Sequence, residues 1–475
     1  MKKIINIKLL LLVITACAVP AAGQATSLLE IYQQALQSDP RIHEAEARRL
    51  AAFEAAPQAR SLLLPQVSFG SDWTKSESSG TSIGIDPSGN FGTFTSDIED
   101  ETLRWQFTLR QTLFRWDQIV GLRQADKIVA KAEADREAAQ QDLIVRVTLR
   151  YVDVLAAEDR LTSIHANRTA ISRQLEQAKQ RFEVGLIAIT AVQESQAAYD
   201  TAVADEIGAK RSLATAREFL REITGQYVPE LSAPGEDFPL RNPDPSDEQS
   251  WIDLSMSQNL ALVASRLDER LARDEISFRR NGHYPTIDLV ASTGESDSIT
   301  DRSVNGGSFF PADSDGRSDS IGIQFNLPLF AGGGTSSRVR EAVYLHRAAR
   351  EQLQRVTRET ERQARDAYLG VLSEISRVKA LGQAVASSTT ALEATQAGFD
   401  VGTRTIVDVL NSQFALYQSI TNYYQSRYDY IVNVLRLKQA AGNLVVQDVE
   451  DLDRWLRPRK TPEQQFAEEA AAASE

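Results

Sequence analysis

The chain has 475 residues, of which 42% are hydrophobic and 25% charged, the balance of a folded protein. That length fits two or three domains or one elongated body. A formal charge of −13 argues against a nucleic-acid partner.

The first 25 residues, MKKIINIKLLLLVITACAVPAAGQA, carry Lys2, Lys3 and Lys8, then an apolar run, then small residues. This is the pattern of an export signal, and cleavage after Ala25 is the expected processing. The stretch ITAC also fits a lipoprotein signal that would acylate Cys17. With cleavage after Ala25 the mature chain has no cysteine, hence no disulfide and no thiolate metal site. No later run of 18 apolar residues occurs, so no membrane-spanning helix is expected. A soluble periplasmic protein, a lipoprotein and an outer-membrane β-barrel all remain open at this point.

From residue 26 the chain is one unit used twice. A shift of 217 positions lays Phe182 on Phe399, Gly185 on Gly402, Val192 on Val409 and Gly225 on Gly442. The units span 26–226 and 251–442. They are joined by 227–250, rich in Pro, Gly and acids, and followed by 443–475, which ends in a polar tail expected to be disordered. Each unit opens with a helix, about 26–62 and about 251–282. A strand hairpin follows, 63–114 and 284–330. Val67, Phe69 and Trp73 share one face, as do Ile287, Leu289 and Ala291. The return strands alternate through Trp105, Phe107 and Leu109, and through Ile321, Ile323 and Phe325. Long polar loops are expected between the strands. A helix of some 65 residues then runs to about 183 and about 400, a rod of about 100 Å. Rods of this length persist by packing side by side. Return helices end at Gly225 and Gly442, suited to C-caps.

Two hairpins cannot close a barrel, and open edges cannot sit in lipid, so the chains must pool strands. A trimer would supply 12. The alternating runs alone also fit a soluble hairpin domain on a helical stalk.

The stretches IYQQALQSDP, ARSLLLPQ, RQLEQAKQRFEVGLIAIT, GHYPTIDLVASTG, LPLFAGGG and VGTRTIVDVL, in order and in duplicate, resemble the TolC family of outer-membrane efflux and secretion channels. The resemblance covers about 26–450. It implies a homotrimer whose 12-stranded outer-membrane β-barrel continues into a long periplasmic α-helical barrel, two repeats per chain. It implies no enzyme activity and no cofactor. Its partners would be outer-membrane lipid, a periplasmic adaptor (membrane fusion) protein and an inner-membrane RND, MFS or ABC transporter. The protein would be a passive exit duct for efflux or type I secretion, opened at its periplasmic tip. The competing reading is a structural coiled-coil surface protein.

Read physically, VGTRTIVDVL is the tip where a rod turns back at Gly402. Arg404, Asp408 and Asn411 then fall at i, i+4 and i+7, on one face of the return helix. Ile406, Leu410, Phe414 and Tyr417 fall on the opposite face. Three copies of Asp408 near an axis would favour cations and could hold a multivalent one. The resemblance gives Asp408 to a constricted entrance and Arg404 to a latch, with Thr190 and Gln174 adjoining. Phe399, Ala191 and Asn411 depart from the family pattern, so Glu194 is the expected alternative partner of Arg404. Val184, Gly185, Leu186, Val401, Gly402 and Thr403 form the two tips expected to dock the adaptor. The four histidines lack metal-ligand spacing, DSDGRSD (313–319) reads as a flexible loop, and no catalytic motif is present.

Overall fold

A computed structural model describes residues 26–85, 89, 91–228, 230–235, 237–305, 307–308 and 312–466. The expected leader with Cys17 and the last nine residues lie outside them. The first unit runs α1 (Leu28–Ser38), α2 (Pro40–Phe53), α3 (Ala55–Ser61), β1 (Gln66–Ile85), β2 (Phe91–Phe114), α4 (Trp116–Glu183) and α5 (Ile189–Thr224). A two-residue strand, β3 (Ala233–Pro234), lies in the linker. The second unit runs α6 (Glu248–Gln258), α7 (Leu260–Arg280), β4 (Thr286–Val304), the short β5 (Gly307–Ser308), β6 (Ala312–Asn326), α8 (Gly334–Asp400) and α9 (Ile406–Ala441). Helix α10 (Val446–Asp453) and β7 (Leu456–Arg457) follow.

The opening helices are broken where single helices were expected. Pro40 disfavours helical geometry at Asp39 and takes the first position of α2. Asn259 breaks the second copy, its side-chain oxygen accepting from the Leu262 N–H at 3.0 Å. The two breaks do equivalent work. The Ser38 hydroxyl donates to the Ile223 carbonyl at 3.1 Å, and the Asn259 amide donates to the Ala440 carbonyl at 2.9 Å. Each break thus receives the end of its own return helix, which closes with Gly225 (φ 74°) or Gly442 (φ 77°).

The four long strands form one antiparallel sheet in the order β1-β2-β4-β6. The register places Val67 opposite Leu109, Leu109 opposite Ala291 and Ala291 opposite Ile321. Phe69, Phe107, Trp73, Leu103, Leu289, Ile323, Ile287 and Phe325 fall on that same face. Neighbouring positions place Ser68, Arg110, Thr108, Ser292 and Ser320 on the other. One face is therefore an apolar band about 20–25 Å tall, at about 3.3 Å per residue; the other is polar. Phe69 and Phe107 pack at 4.8 Å between ring centroids. Much of the expected loop sequence is strand: β1 reaches Ile85, and 313–319 lies inside β6 paired with β4. Ladder hydrogen bonds continue past the band because they do not depend on side-chain polarity. Among the described residues β1 and β6 each pair on one side only.

Both rods are unbroken, 68 residues in α4 and 67 in α8. The return helices α5 and α9 pair with their lower halves, and α7 packs against both upper halves. Around the middle, the start of the chain, the linker and the C-terminal segment form a collar. Thr26 N–H donates to Glu230 O at 2.8 Å, β3 pairs with β7, and Leu28 N–H donates to the Asp453 carboxylate at 2.9 Å. The main core lies under this collar, with Tyr151, Leu155, Leu143, Ile31 and Leu435 almost fully buried. Each large apolar side chain there contributes about 1.5–3 kcal/mol. The Tyr151 hydroxyl donates to the Ser232 carbonyl, and burial pushes its pKa far up. The tail expected to be disordered is packed against this collar over 461–466: Thr461 is buried, and Phe466 stacks on His165 at 3.6 Å.

A side chain at Gly442 would strike the Gln258 carbonyl, whereas at Gly225 it would only touch Ser38 Cβ at 3.4 Å. Both need left-handed backbone, which costs other residues about 1–2 kcal/mol. Gly442→Ala is expected to lower stability by about 2–4 kcal/mol and Gly225→Ala by about half that in thermal denaturation. Equal losses would contradict the packing difference.

Candidate functional site at the hairpin tips

The two tips are built alike. Gly185 (φ 76°) donates to Phe182 O at 2.9 Å and Leu186 to Arg181 O at 2.8 Å. Gly402 (φ 80°) donates to Phe399 O at 3.0 Å and Thr403 to Gly398 O at 2.8 Å. Each glycine satisfies the last carbonyls of its rod while reversing the chain. Val184, Leu186 and Val401 are left exposed at the turns, 69–76% of their surface accessible.

The restart after each turn differs. Helix α5 begins at Ile189 with no side-chain cap. Helix α9 begins with a capping box: the Asp408 carboxylate accepts from the Thr405 N–H and hydroxyl, both at 2.9 Å, and the Thr405 hydroxyl accepts from the Asp408 N–H at 3.3 Å. The Thr405 backbone bond, then the hydroxyl bond, hold Asp408 below the usual carboxylate range, with the Arg404 charge adding a little.

Two expectations are corrected here. Arg404 precedes the helix, so it does not stand one turn from Asp408, and no ion pair joins them. Its stem lies over Gly398, where a Cβ would meet Arg404 Cγ at 2.8 Å. The buried stripe of α9 is Ile406, Val409 and Gln413; Leu410 and Tyr417 are half-buried and Phe414 is exposed. Gln174 faces α8, where its amide donates to Gln396 Oε1 at 3.2 Å. Thr190 and Glu194 are exposed on α5, and Asn411 is exposed on α9.

Sequence reasoning missed the contact that joins the two tips within one chain. Arg181, in the last turn of α4, binds Asp400 at 2.9 Å and lies 4.9 Å over the Phe399 ring. Higher up, the Gln413 amide donates to Asn167 Oδ1 at 3.2 Å. An arginine and an aspartate aligned at the ends of the duplicated rods were the available signal, but an exposed arginine has many equivalent partners.

Long paired helices extend from a sheet that is apolar on one face. The chain matches the family described as outer membrane efflux protein over residues 31–226 and 251–443, and it belongs to that family. It is 36% identical to outer membrane protein TolC of Vibrio cholerae over 455 residues, covering 95% of this chain and 99% of that one. To outer membrane protein TolC of Escherichia coli K12 it is 37% identical, covering 96% and 90%. The alkaline protease secretion protein AprF of Pseudomonas aeruginosa is 28% identical, covering 90% and 86%. Among solved structures, the outer membrane protein VceC of Vibrio cholerae superposes with a TM-score of 0.66 at 19% identity, covering 87% of this chain and 96% of that one. The CmeC outer membrane channel of Campylobacter jejuni gives 0.69 at 16%, covering 90% of each. The protein is an exit duct of the outer membrane with a periplasmic extension, serving efflux, type I secretion or both; the comparisons do not favour the surface-stalk reading.

Two outcomes follow for the tips. Arg181→Ala and Asp400→Ala are expected to couple by about 0.5–1 kcal/mol in a double-mutant cycle read by thermal stability, the range for exposed pairs; independent effects would remove the contact. Asp408 has a folded pKa below its unfolded value of about 4. Its capping contribution is therefore complete above about pH 4 and lost as the pH falls through the folded value. Amide exchange in the first turn of α9, corrected for intrinsic rates, is expected to be flat from pH 8 to 5 and to accelerate only below about pH 4. In Asp408→Asn it should be fast throughout.

Proposed function

We propose that three copies close one 12-stranded barrel, with the rods continuing it as a helical tunnel whose periplasmic end is the gate. The observation that carries this reading is the single sheet, apolar on one face and polar on the other, with both edges unpaired among the described residues. Lipid does not tolerate open edges, and an even set of strands with cyclic symmetry removes them. Apolar side chains sit at matching ends of the two edges: Leu62 and Leu64 before β1, and Leu327, Leu329 and Phe330 after β6, the last two 89% and 88% exposed. They would meet across neighbouring copies at the base of the barrel.

At the tips, three Asp408 carboxylates would ring the entrance. The Oδ2 atom of each caps α9, which fixes its direction and leaves Oδ1 for a passing cation. Asn411 widens and neutralises the next layer. Arg404, exposed at the turn, would with Thr190, Gln174 and Glu194 hold adjacent copies closed. The exposed apolar tips, Val184, Gly185 and Leu186 with Val401, Gly402 and Thr403, suit a helical hairpin of a periplasmic adaptor. That adaptor, coupled to an inner-membrane RND, MFS or ABC transporter, would supply the work of opening. The tunnel itself conducts passively.

Single-channel recording of the purified assembly tests this. Small, cation-selective openings blocked by a trivalent cation from the tip side are expected, and Asp408→Asn should relieve the block by at least about tenfold. Anion selectivity, or block unchanged in Asp408→Asn, would contradict the carboxylate ring.

A further inference from the structure

Where α9 ends against the start of α7, a recess of about 540 Å³ opens between those two helices and the rods α4 and α8. Its polar rim includes Arg362 and Gln363 of α8 with Asn433, Arg436 and Gln439 of α9. One carboxylate borders it, Asp366, and Arg362 already donates to that group at 2.5 Å. The nearest acid on α9 itself, Asp429, is engaged by Gln425 at 2.9 Å and by Arg377 at 3.6 Å. Arg436 is exposed and forms no ion pair among the described residues. The recess therefore carries one guanidinium in excess, beside three side-chain amides. The joint between helix ends does not require these groups. At the shift that aligns the two units, Asn433, Arg436 and Gln439 correspond to Ala216, Phe219 and Glu222, and Arg362 corresponds to Val145. The first unit makes the same kind of joint, Ser38 to Ile223, without them.

We propose that this recess binds an oxyanion (a carboxylate, sulfate or phosphate group) on the Arg436 fork, with the neighbouring amides donating to its remaining oxygens. A guanidinium matches such groups with two parallel N–H donors. Position says where the oxyanion comes from. At about 1.5 Å per residue, Arg436 lies about 42 Å along α9 from Asp408, and Arg362 about 42 Å along α8 from its start below the sheet. Lipid headgroups do not reach that level. Arg436 also stands about 200° round α9 from Lys438, at about 100° per residue, and Lys438 binds Asp448 of the collar. The Arg436 face runs back through Asn433, Gln425, Asn422 and Gln418 to Asn411 beside the tip. In the assembly proposed above, that face looks into the tunnel. Three recesses at one level would then receive anionic groups of passing cargo, beyond an entrance whose carboxylates repel them. One net charge per recess holds such groups weakly enough to let them leave. The place on the tunnel wall rests on that assembly; the recess itself is built by a single chain.

The test is calorimetric titration of the detergent-solubilised full chain with inorganic pyrophosphate, in the unaltered protein and in Arg436→Gln, Asn433→Asp and Arg355→Gln. Arg355 lies two turns away on α8 and pairs with Glu359, outside the recess. Arg436→Gln should weaken binding at least about tenfold. Asn433→Asp should do the same, because it sets a carboxylate three residues from Arg436 on one helix face. Arg355→Gln should bind as before. Unchanged binding in Arg436→Gln and Asn433→Asp, or an equal loss in Arg355→Gln, would overturn the site. If Arg436→Gln does not melt cooperatively, Asn433→Asp, which keeps the side-chain shape, decides alone. Benzoate, an oxyanion on an apolar body, should displace pyrophosphate; failure to do so would restrict the recess to free inorganic anions and overturn its role toward cargo. Single-channel recording separates this site from the tunnel reading. Arg436-dependent binding in a sample without conductance would contradict the tunnel and leave the site standing, whereas conductance without pyrophosphate binding would remove the site alone.

Discussion

The constraint on which the structure depends is the hydrogen-bonding demand of a sheet edge in lipid. Each chain builds four long strands, faces their apolar side chains one way, and among the described residues leaves β1 and β6 unpaired on their outer sides. Water can satisfy an open edge, and hydrocarbon cannot. On the proposed reading the apolar face meets lipid and further copies cover the edges. The polar face would then line a lumen. The rods continue the sheet because Phe114 and Asn326 each lead within a few residues into α4 and α8. A membrane requirement at one end would thus fix an assembly whose consequences reach about 100 Å away at the tips.

The duplication makes that reach affordable in packing terms. A lone helix of 68 residues has no core of its own, and here every level of a rod has neighbours: α7 above, α5 or α9 below. The change of neighbour occurs at the collar, where the helix breaks at Asp39 and Asn259 receive the glycine ends of the return helices. Gly442 has no room for a side chain there, so two helices and a break are locked by backbone contact. Further down, side chains alone join the hairpins. Stability is therefore graded along the long axis, greatest at the collar and least at the tips.

Much of this was legible in the sequence because the signals are periodic or local. The rods were bounded to within a residue, since nothing interrupts their helix-forming composition until the tip glycines. The apolar alternation gave the strands their faces. Two features were hidden for physical reasons. Strand beyond the apolar band looked like loop, because ladder bonds hold Ser, Asp and Gly in register with no hydrophobic pattern to announce them. The helix breaks needed a reading of Asp39-Pro40 and Asn259 as caps. At the tips, Asp408 was singled out for its charge, and its role as the partner of Thr405 comes from three-residue spacing that also fits an exposed pair. The Arg181–Asp400 contact joins residues 219 positions apart, a distance over which one sequence carries no pairing signal.

The account stands or falls on whether the free edges of neighbouring chains meet. Because no cysteine follows Cys17, one cysteine in β1 (Phe69→Cys) and one in β6 (Ile321→Cys) can be joined by a bifunctional thiol reagent in outer-membrane preparations. Three edges meeting in a closed ring should give linked dimers and trimers and nothing larger, only when both cysteines are on the same chain. Unlinked single chains from a correctly inserted protein, or a ladder running past three, would contradict it.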